Sequence, residues 1–144
     1  MIVSGHINPE DLVVVAGAGG FIGGHLVAGL QDRGHRRVRA VDSKPIGQWH
    51  QRPPDVEYLQ ADLRSADVCH AAVDGASYVF NLAADMGGMG FIETHKADCM
   101  LSVLISTHLL LAARDQGTKR FFLLVLCVHL QLGQANRRRG NSPS

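Results

Sequence analysis

The apolar run Leu12 to Ala16 leads without a break into Gly17-Ala18-Gly19-Gly20-Phe21-Ile22-Gly23, and that succession predicts strand, glycine turn, helix. Each glycine of the GxxGxxG spacing has its own reason in this reading. Gly17 allows the tight turn, Gly20 lets the main chain approach a pyrophosphate with no Cβ in the way, and Gly23 lets the helix pack close to the strand. The free amides of the first helical turn, at Phe21 and Ile22, then face the anion. A glycine cluster also serves as a plain cap or packing contact, so the rest of the chain has to decide between the two readings.

Further along, strands are expected over Arg37 to Val41, Val56 to Ala61, Tyr78 to Ala84 and Arg120 to Leu126. Helical patterns fill the gaps: Phe21 to Arg33, with Phe21, Ile22, His25, Leu26 and Leu30 on one face; Ser65 to Val73, capped by Ser65; and about Thr94 to Gln116, with Met100, Val103, Leu104, Leu110 and Leu111 as its apolar residues. Strands alternating with helices through short connections predict an α/β class, a Rossmann-like doubly wound parallel sheet of about five strands. Nothing resembling later strands or a C-terminal substrate lobe follows. The expected organisation is an extension over 1–11, a partial nucleotide-binding domain over 12–126 and an aberrant basic tail over 127–144.

Asp42 closes the second strand about 20 residues past the glycine turn, where a carboxylate binds both hydroxyls of a ribose. This favours NAD, because Asp42 repels a 2′-phosphate, while Lys44 and the arginines at 36, 37 and 39 keep NADP open. Asp62-Leu63, at the end of the third strand, is placed for an adenine contact. No GxxxxGK[ST] run occurs, which argues against a nucleoside triphosphatase.

The chain has 144 residues, enough for one domain with a core. Lys plus Arg number 14 against 13 for Asp plus Glu, so no overall field favours nucleic acid, and Arg137-Arg138-Arg139 reads as a solvated tail. Cys69, Cys99 and Cys127 form no CxxC pair, and the histidines no HExxH spacing, so neither a disulfide frame nor a metal site is expected. The longest apolar stretch, Phe121 to Val128, is far below the roughly 20 residues of a membrane span. These features predict a protein of the cytoplasm with no membrane partner.

Together GAGGFIG, Asp42, Asp62-Leu63 and the run NLAADMGGMGF at 81–91 resemble the extended short-chain dehydrogenase/reductase, or NAD-dependent epimerase/dehydratase, family. The last run is similar to that of its GDP-mannose 3,5-epimerases, and the resemblance covers about residues 12 to 122. It implies that Gly17, Gly20, Phe21, Ile22, Gly23, Asp42, Asp62, Leu63, Leu82, Ala83 and Ala84 hold NAD, and that Gly87, Gly88 and Met89 lie against a GDP-hexose. For the methionines of that loop, packing is an equal alternative. The implied chemistry is hydride removal at C4 of the hexose, inversion at C3 and C5 by an acid/base pair, and hydride return. A homodimer is implied for the intact family.

The chain departs from the family where that chemistry is done. Its only tyrosines, Tyr58 and Tyr78, are followed four residues later by Asp62 and Leu82, so no Tyr-x-x-x-Lys pair exists and no catalytic residue is assigned. A family run like FFYSSSAC is replaced by Phe121-Phe122-Leu123-Leu124-Val125-Leu126-Cys127-Val128. With suitable codons, one extra C placed before a message for YSSSACTYSSAKQTD yields LLVLCVHLQLGQANR, which is residues 123–137. The tail therefore reads as a shifted reading frame, the rival being a natural short protein with a new apolar strand. The functional expectation is the NAD-binding portion of a GDP-mannose epimerase, inactive as it stands. The alternatives are a non-catalytic NAD-binding module or inert remnant, or an enzyme for another nucleotide sugar.

Overall fold

A computed structural model describes residues 7–83 and 96–124. The elements run β1 (Val13–Ala16), α1 (Phe21–Asp32), β2 (Val38–Asp42), a short 3-10 turn (Ile46–Gln48), β3 (Glu57–Gln60), α2 (Ala66–Ala72), β4 (Tyr78–Asn81), α3 (Lys96–Asp115) and β5 (Arg120–Leu123). All four pairings are parallel, and the sheet order is β3-β2-β1-β4-β5. The chain therefore winds outward from β1 to β3, returns past it, and winds outward again on the other side. This is the doubly wound arrangement, and its reversal point lies between β1 and β4.

β1 is buried along its whole length because it has a neighbour on each edge and helices on both faces. Its side chains alternate between two cores, as the period of two in a strand requires. Val13 and Val15 pack with Val38, Ala40 and the α1 residues Val27 and Leu30. Val14 and Ala16 pack with Val41, Val79, Cys69 and Ala72 of α2, and Leu109, Ala112 and Ala113 of α3.

β3, β4 and β5 are shorter than the sequence suggests, and β2 keeps its five residues but starts one later, because the strands pair only where a neighbour is in register. Ser65 precedes α2, but its side chain makes no capping bond; its carbonyl accepts the Cys69 N–H at 3.1 Å instead. One helix face also differs from expectation. In α1 the buried residues are Gly23, Gly24, Val27 and Leu30, whereas Phe21 and Ile22 are 64% and 50% exposed, since the first turn borders the cleft at the end of the sheet. In α3 the apolar residues that mark the helix in the sequence, Met100, Val103, Leu104, Leu110 and Leu111, point outward, and Ile105, Leu109, Ala112 and Ala113 face the sheet. The two alanines have little side chain to hold the helix off. β5 forms one edge of the sheet, with Phe122, Leu123 and Leu124 exposed.

α2 and α3 are also joined at the surface. His70 Nδ1 lies 2.9 Å from the Ala66 carbonyl and its Nε2 lies 3.3 Å from Asp115 Oδ2. The Ala66 carbonyl first, and Asp115 second, raise the His70 pKa, while the same contact and Arg114 lower that of Asp115. A raised histidine contributes stability that is fully present below its ordinary value, near 6.5, and is lost as pH rises through the folded value. His70→Gln is therefore expected to lower the melting temperature more at pH 5.5 than at pH 8. An equal loss at both values would show that the charge is irrelevant.

Candidate functional site

At the reversal point, the carboxyl ends of β1 and β4 open into a cleft of about 940 Å³. The turn that leaves β1 is held against β2, with Gly17 N–H and Ala18 N–H both donating to the Val41 carbonyl at 2.8 and 3.1 Å. Gly17 has φ +81°, and a Cβ there would lie 2.5 Å from the Leu82 carbonyl carbon and oxygen and 2.7 Å from Ala83 N. A Cβ on Gly23 would run into the Gly17 carbonyl oxygen. Gly20 behaves differently: its Cβ would meet only the Gly17 oxygen, at an ordinary 3.6 Å. The fold itself does not require glycine at 20, so any such requirement comes from a ligand.

Gly20 is the N-cap of α1, no side chain caps the helix, and its first turn carries no acidic residue. Uncapped amides with a positive helix end above them form an anion site. Asp42 stands beside it. Its Oδ2 accepts the Gly19 N–H at 2.9 Å and its Oδ1 accepts the Lys44 N–H at 3.0 Å. An ionised carboxylate has about four acceptor positions, so each oxygen keeps capacity for a hydroxyl donor. Asp62 pairs with Arg64 at 2.7 Å, and the Arg64 hydrogen bonds hold its carboxyl down to about 2. Leu63 is a core residue, 4% exposed, and its carbonyl accepts the Cys69 thiol at 3.1 Å. Burial, and then the Asp62 charge, push that thiol up to about 11, which leaves it a packing group.

Of the residues singled out from sequence, Gly17, Gly20, Phe21, Ile22, Gly23, Asp42, Asp62, Leu63, Leu82 and Ala83 all line this one cleft. Ala84, Gly87, Gly88 and Met89 lie outside the described residues, as does the tail with Cys127. The arginines do not belong here. Arg36 pairs with Glu10, Arg37 donates to the Glu10 carbonyl, and Arg39 pairs with Glu57 and donates to the carbonyls of Ala72 and Asp74. Of the cations expected to favour a 2′-phosphate, Lys44 alone borders the cleft among the described residues.

Sequence reasoning missed Gly19, whose Cβ would come within 2.9 Å of the Asp42 carboxyl. It also missed Asn81, 2% exposed, which donates to Ser106 Oγ and accepts the Ala83 N–H, both at 3.0 Å, and so fixes the exit from β4. An asparagine ending an apolar strand was the available signal. The described lining includes Asp42, Lys44, Asp62 and Arg64 as its titratable side chains and no histidine, cysteine or tyrosine. Among the described residues, no group of three metal-ligating side chains occurs. Among the described residues, the arrangement is suited to holding an anion and a neighbouring diol.

The model of the NAD dependent epimerase/dehydratase family matches residues 13–125. GDP-mannose 3,5-epimerase 1 of Oryza sativa subsp. japonica is 42% identical over 111 residues, covering 76% of this chain and 29% of that protein. A 3 beta-hydroxysteroid dehydrogenase/Delta 5-->4-isomerase of Mycobacterium tuberculosis is 40% identical over 114 residues, 76% of this chain and 30% of that one. Among solved structures, MoeE5 in complex with UDP-glucose and NAD superposes with a TM-score of 0.66 at 30% identity, over 78% of this chain and 35% of its own. The chain thus spans about 29% of the length of the rice protein it matches.

Proposed function

Because the chain belongs to the NAD dependent epimerase/dehydratase family, we propose that it is the NAD-binding portion of a nucleotide-sugar epimerase acting on GDP-mannose, and that these 144 residues bind the cofactor without turning the sugar over. The observation that carries the reading is the cleft itself. An uncapped helix end, a glycine cradle and a ribose-distance carboxylate converge there. The α1 amides hold the pyrophosphate, Asp42 takes the adenosine ribose hydroxyls, and the Asp62-Leu63 segment borders the adenine. Bound NAD supplies a reversible hydride acceptor. Leu82 and Ala83, which also line the cleft, would contact the bound cofactor.

GDP-mannose is favoured over other sugars by the rice relative and by the run NLAADMGGMGF, part of which lies outside the described residues. Inactivity follows from the missing Tyr-x-x-x-Lys pair. Tyr58 donates its hydroxyl to the Pro53 carbonyl, and neither it nor Tyr78 lines the cleft. A second reading, a binding module with no reaction of its own, rests on that same absence. A homodimer, the assembly that the resemblance implies for the intact family, completes the proposal, and the exposed apolar side of α3 supports self-association.

Calorimetric titration of the 144-residue chain with NAD⁺ is the test. Saturable binding is expected, weakened about 10- to 100-fold in Asp42→Ala, the loss of hydrogen bonds to a charged acceptor. Asp42→Asn, which retains one acceptor oxygen, should fall between. A folded chain that does not bind NAD⁺ would overturn the reading, and turnover of GDP-mannose by the same chain would overturn the claim of inactivity.

A further inference from the structure

The Asp42 carboxylate is held by a closed ring of interactions behind it. Its two amide donors belong to Gly19 and Lys44. The Lys44 carbonyl accepts the indole N–H of Trp49 at 2.9 Å, and the Gly19 carbonyl accepts the N–H of the next residue, His50, at 3.1 Å. Trp49 thus holds Lys44 through its side chain, while the backbone N–H of its neighbour His50 holds Gly19. Trp49 is 6% exposed, packed edge-on against Tyr58 with ring centroids 5.4 Å apart. Its Cδ1 lies 3.1 Å from where a Gly19 Cβ would stand.

We propose that Trp49 is a positioning residue for the cofactor's ribose: through its indole hydrogen bond to Lys44 it fixes the Asp42 carboxylate so that both oxygens meet a vicinal diol. The inference rests on the NAD-binding reading and deepens it. Two hydroxyls can be bound by one carboxylate only when its plane is set, and functional groups must be held within about 0.5 Å and 10–20° of the productive geometry. With the indole N–H gone, the Lys44 peptide is free to turn. Asp42 then keeps its charge but loses its orientation, and the preference for the 2′-hydroxyl falls.

The ratio of affinities for NAD⁺ and its adenosine-2′-deoxy analogue reads this directly. The wild-type chain is expected to favour NAD⁺ about tenfold, the effect of one hydrogen bond to a charged acceptor. Asp42→Asn should remove most of that preference. Trp49→Phe, which keeps an aromatic ring but no donor, should narrow it to about threefold or less, and the double variant should match Asp42→Asn alone, since residues acting as a unit are not additive. Tyr58→Phe, which loosens the same loop at Pro53 without touching Lys44, should leave it unchanged.

Trp49 is the single tryptophan, so if Trp49→Phe does not fold, biosynthetic replacement by benzothienylalanine removes the N–H while keeping the shape. A wild-type ratio in that protein, or in folded Trp49→Phe, overturns the inference while Asp42→Asn still supports the binding reading. Equal narrowing in Tyr58→Phe also overturns it, because general loosening then suffices. Absence of NAD⁺ binding by the wild-type chain overturns both.

Discussion

Gly17→Ala is expected to destabilise the folded state severely, whereas Gly20→Ala is expected to leave it intact and weaken only cofactor binding. The alanine at 17 would have to hold φ +81°, a left-handed conformation that costs an L-residue about 1–2 kcal/mol. Its Cβ would also sit 2.5 Å from the Leu82 carbonyl. That neighbour is main chain at the end of a strand paired along its length with β1, and it cannot step aside without breaking the ladder. The combined loss should reach about 4 kcal/mol or more, a large share of the 5–15 kcal/mol of a typical domain. At Gly20 the backbone is extended and the nearest atom is 3.6 Å away, so alanine should change stability by about 1 kcal/mol or less. Its methyl would stand at the mouth of the α1 anion site and raise the Kd for NAD⁺. Denaturant melts of the two variants, followed by titration of Gly20→Ala, check both halves. A stable Gly17→Ala would mean that the turn is not as tight as drawn.

That pair of glycines shows what a sequence discloses and what it hides. The spacing of 17, 20 and 23 announced a strand, a turn and a helix, and the order of apolar runs announced the parallel sheet. Both follow from local rules of backbone sterics and periodicity. The division of labour among the glycines did not, because it depends on which chain segment lies opposite. Gly17 and Gly23 are demanded by the backbone of β4 and of the turn itself, and Gly19 by the Asp42 carboxyl, a residue 23 positions away. In the same way Asp42 was legible as a ribose ligand, but the Trp49 and His50 contacts that brace it became visible only once the loop was closed over the turn.

Helix faces were the least legible. α3 carries large apolar side chains around most of its circumference, so the pattern alone cannot say which side meets the sheet. The packing selects Leu109 with Ala112 and Ala113, because the small pair permits close approach. It leaves Met100, Val103, Leu104, Leu110 and Leu111 outside.

The sharpest check of that assignment uses neighbouring leucines. Leu109 is fully buried, and Leu109→Ala is expected to cost about 2–5 kcal/mol, the transfer free energy of the lost methyls plus the cavity they leave. Leu110 is 51% exposed, and Leu110→Glu should alter the unfolding free energy of the isolated chain by no more than about 0.5 kcal/mol. Its effect should appear elsewhere. An exposed row of Val103, Leu104, Leu110 and Leu111 on one helix favours association with a like surface, and a charge placed in it opposes that. Light scattering across a concentration series should therefore show the wild-type chain growing in mass and Leu110→Glu remaining monomeric, with melting curves of the two nearly superposed at low concentration. If Leu110→Glu unfolds the chain instead, α3 is rotated from the orientation described. If both proteins stay monomeric, the exposed side of this helix is not used for self-association, and that part of the proposed function falls while the cofactor site is untouched.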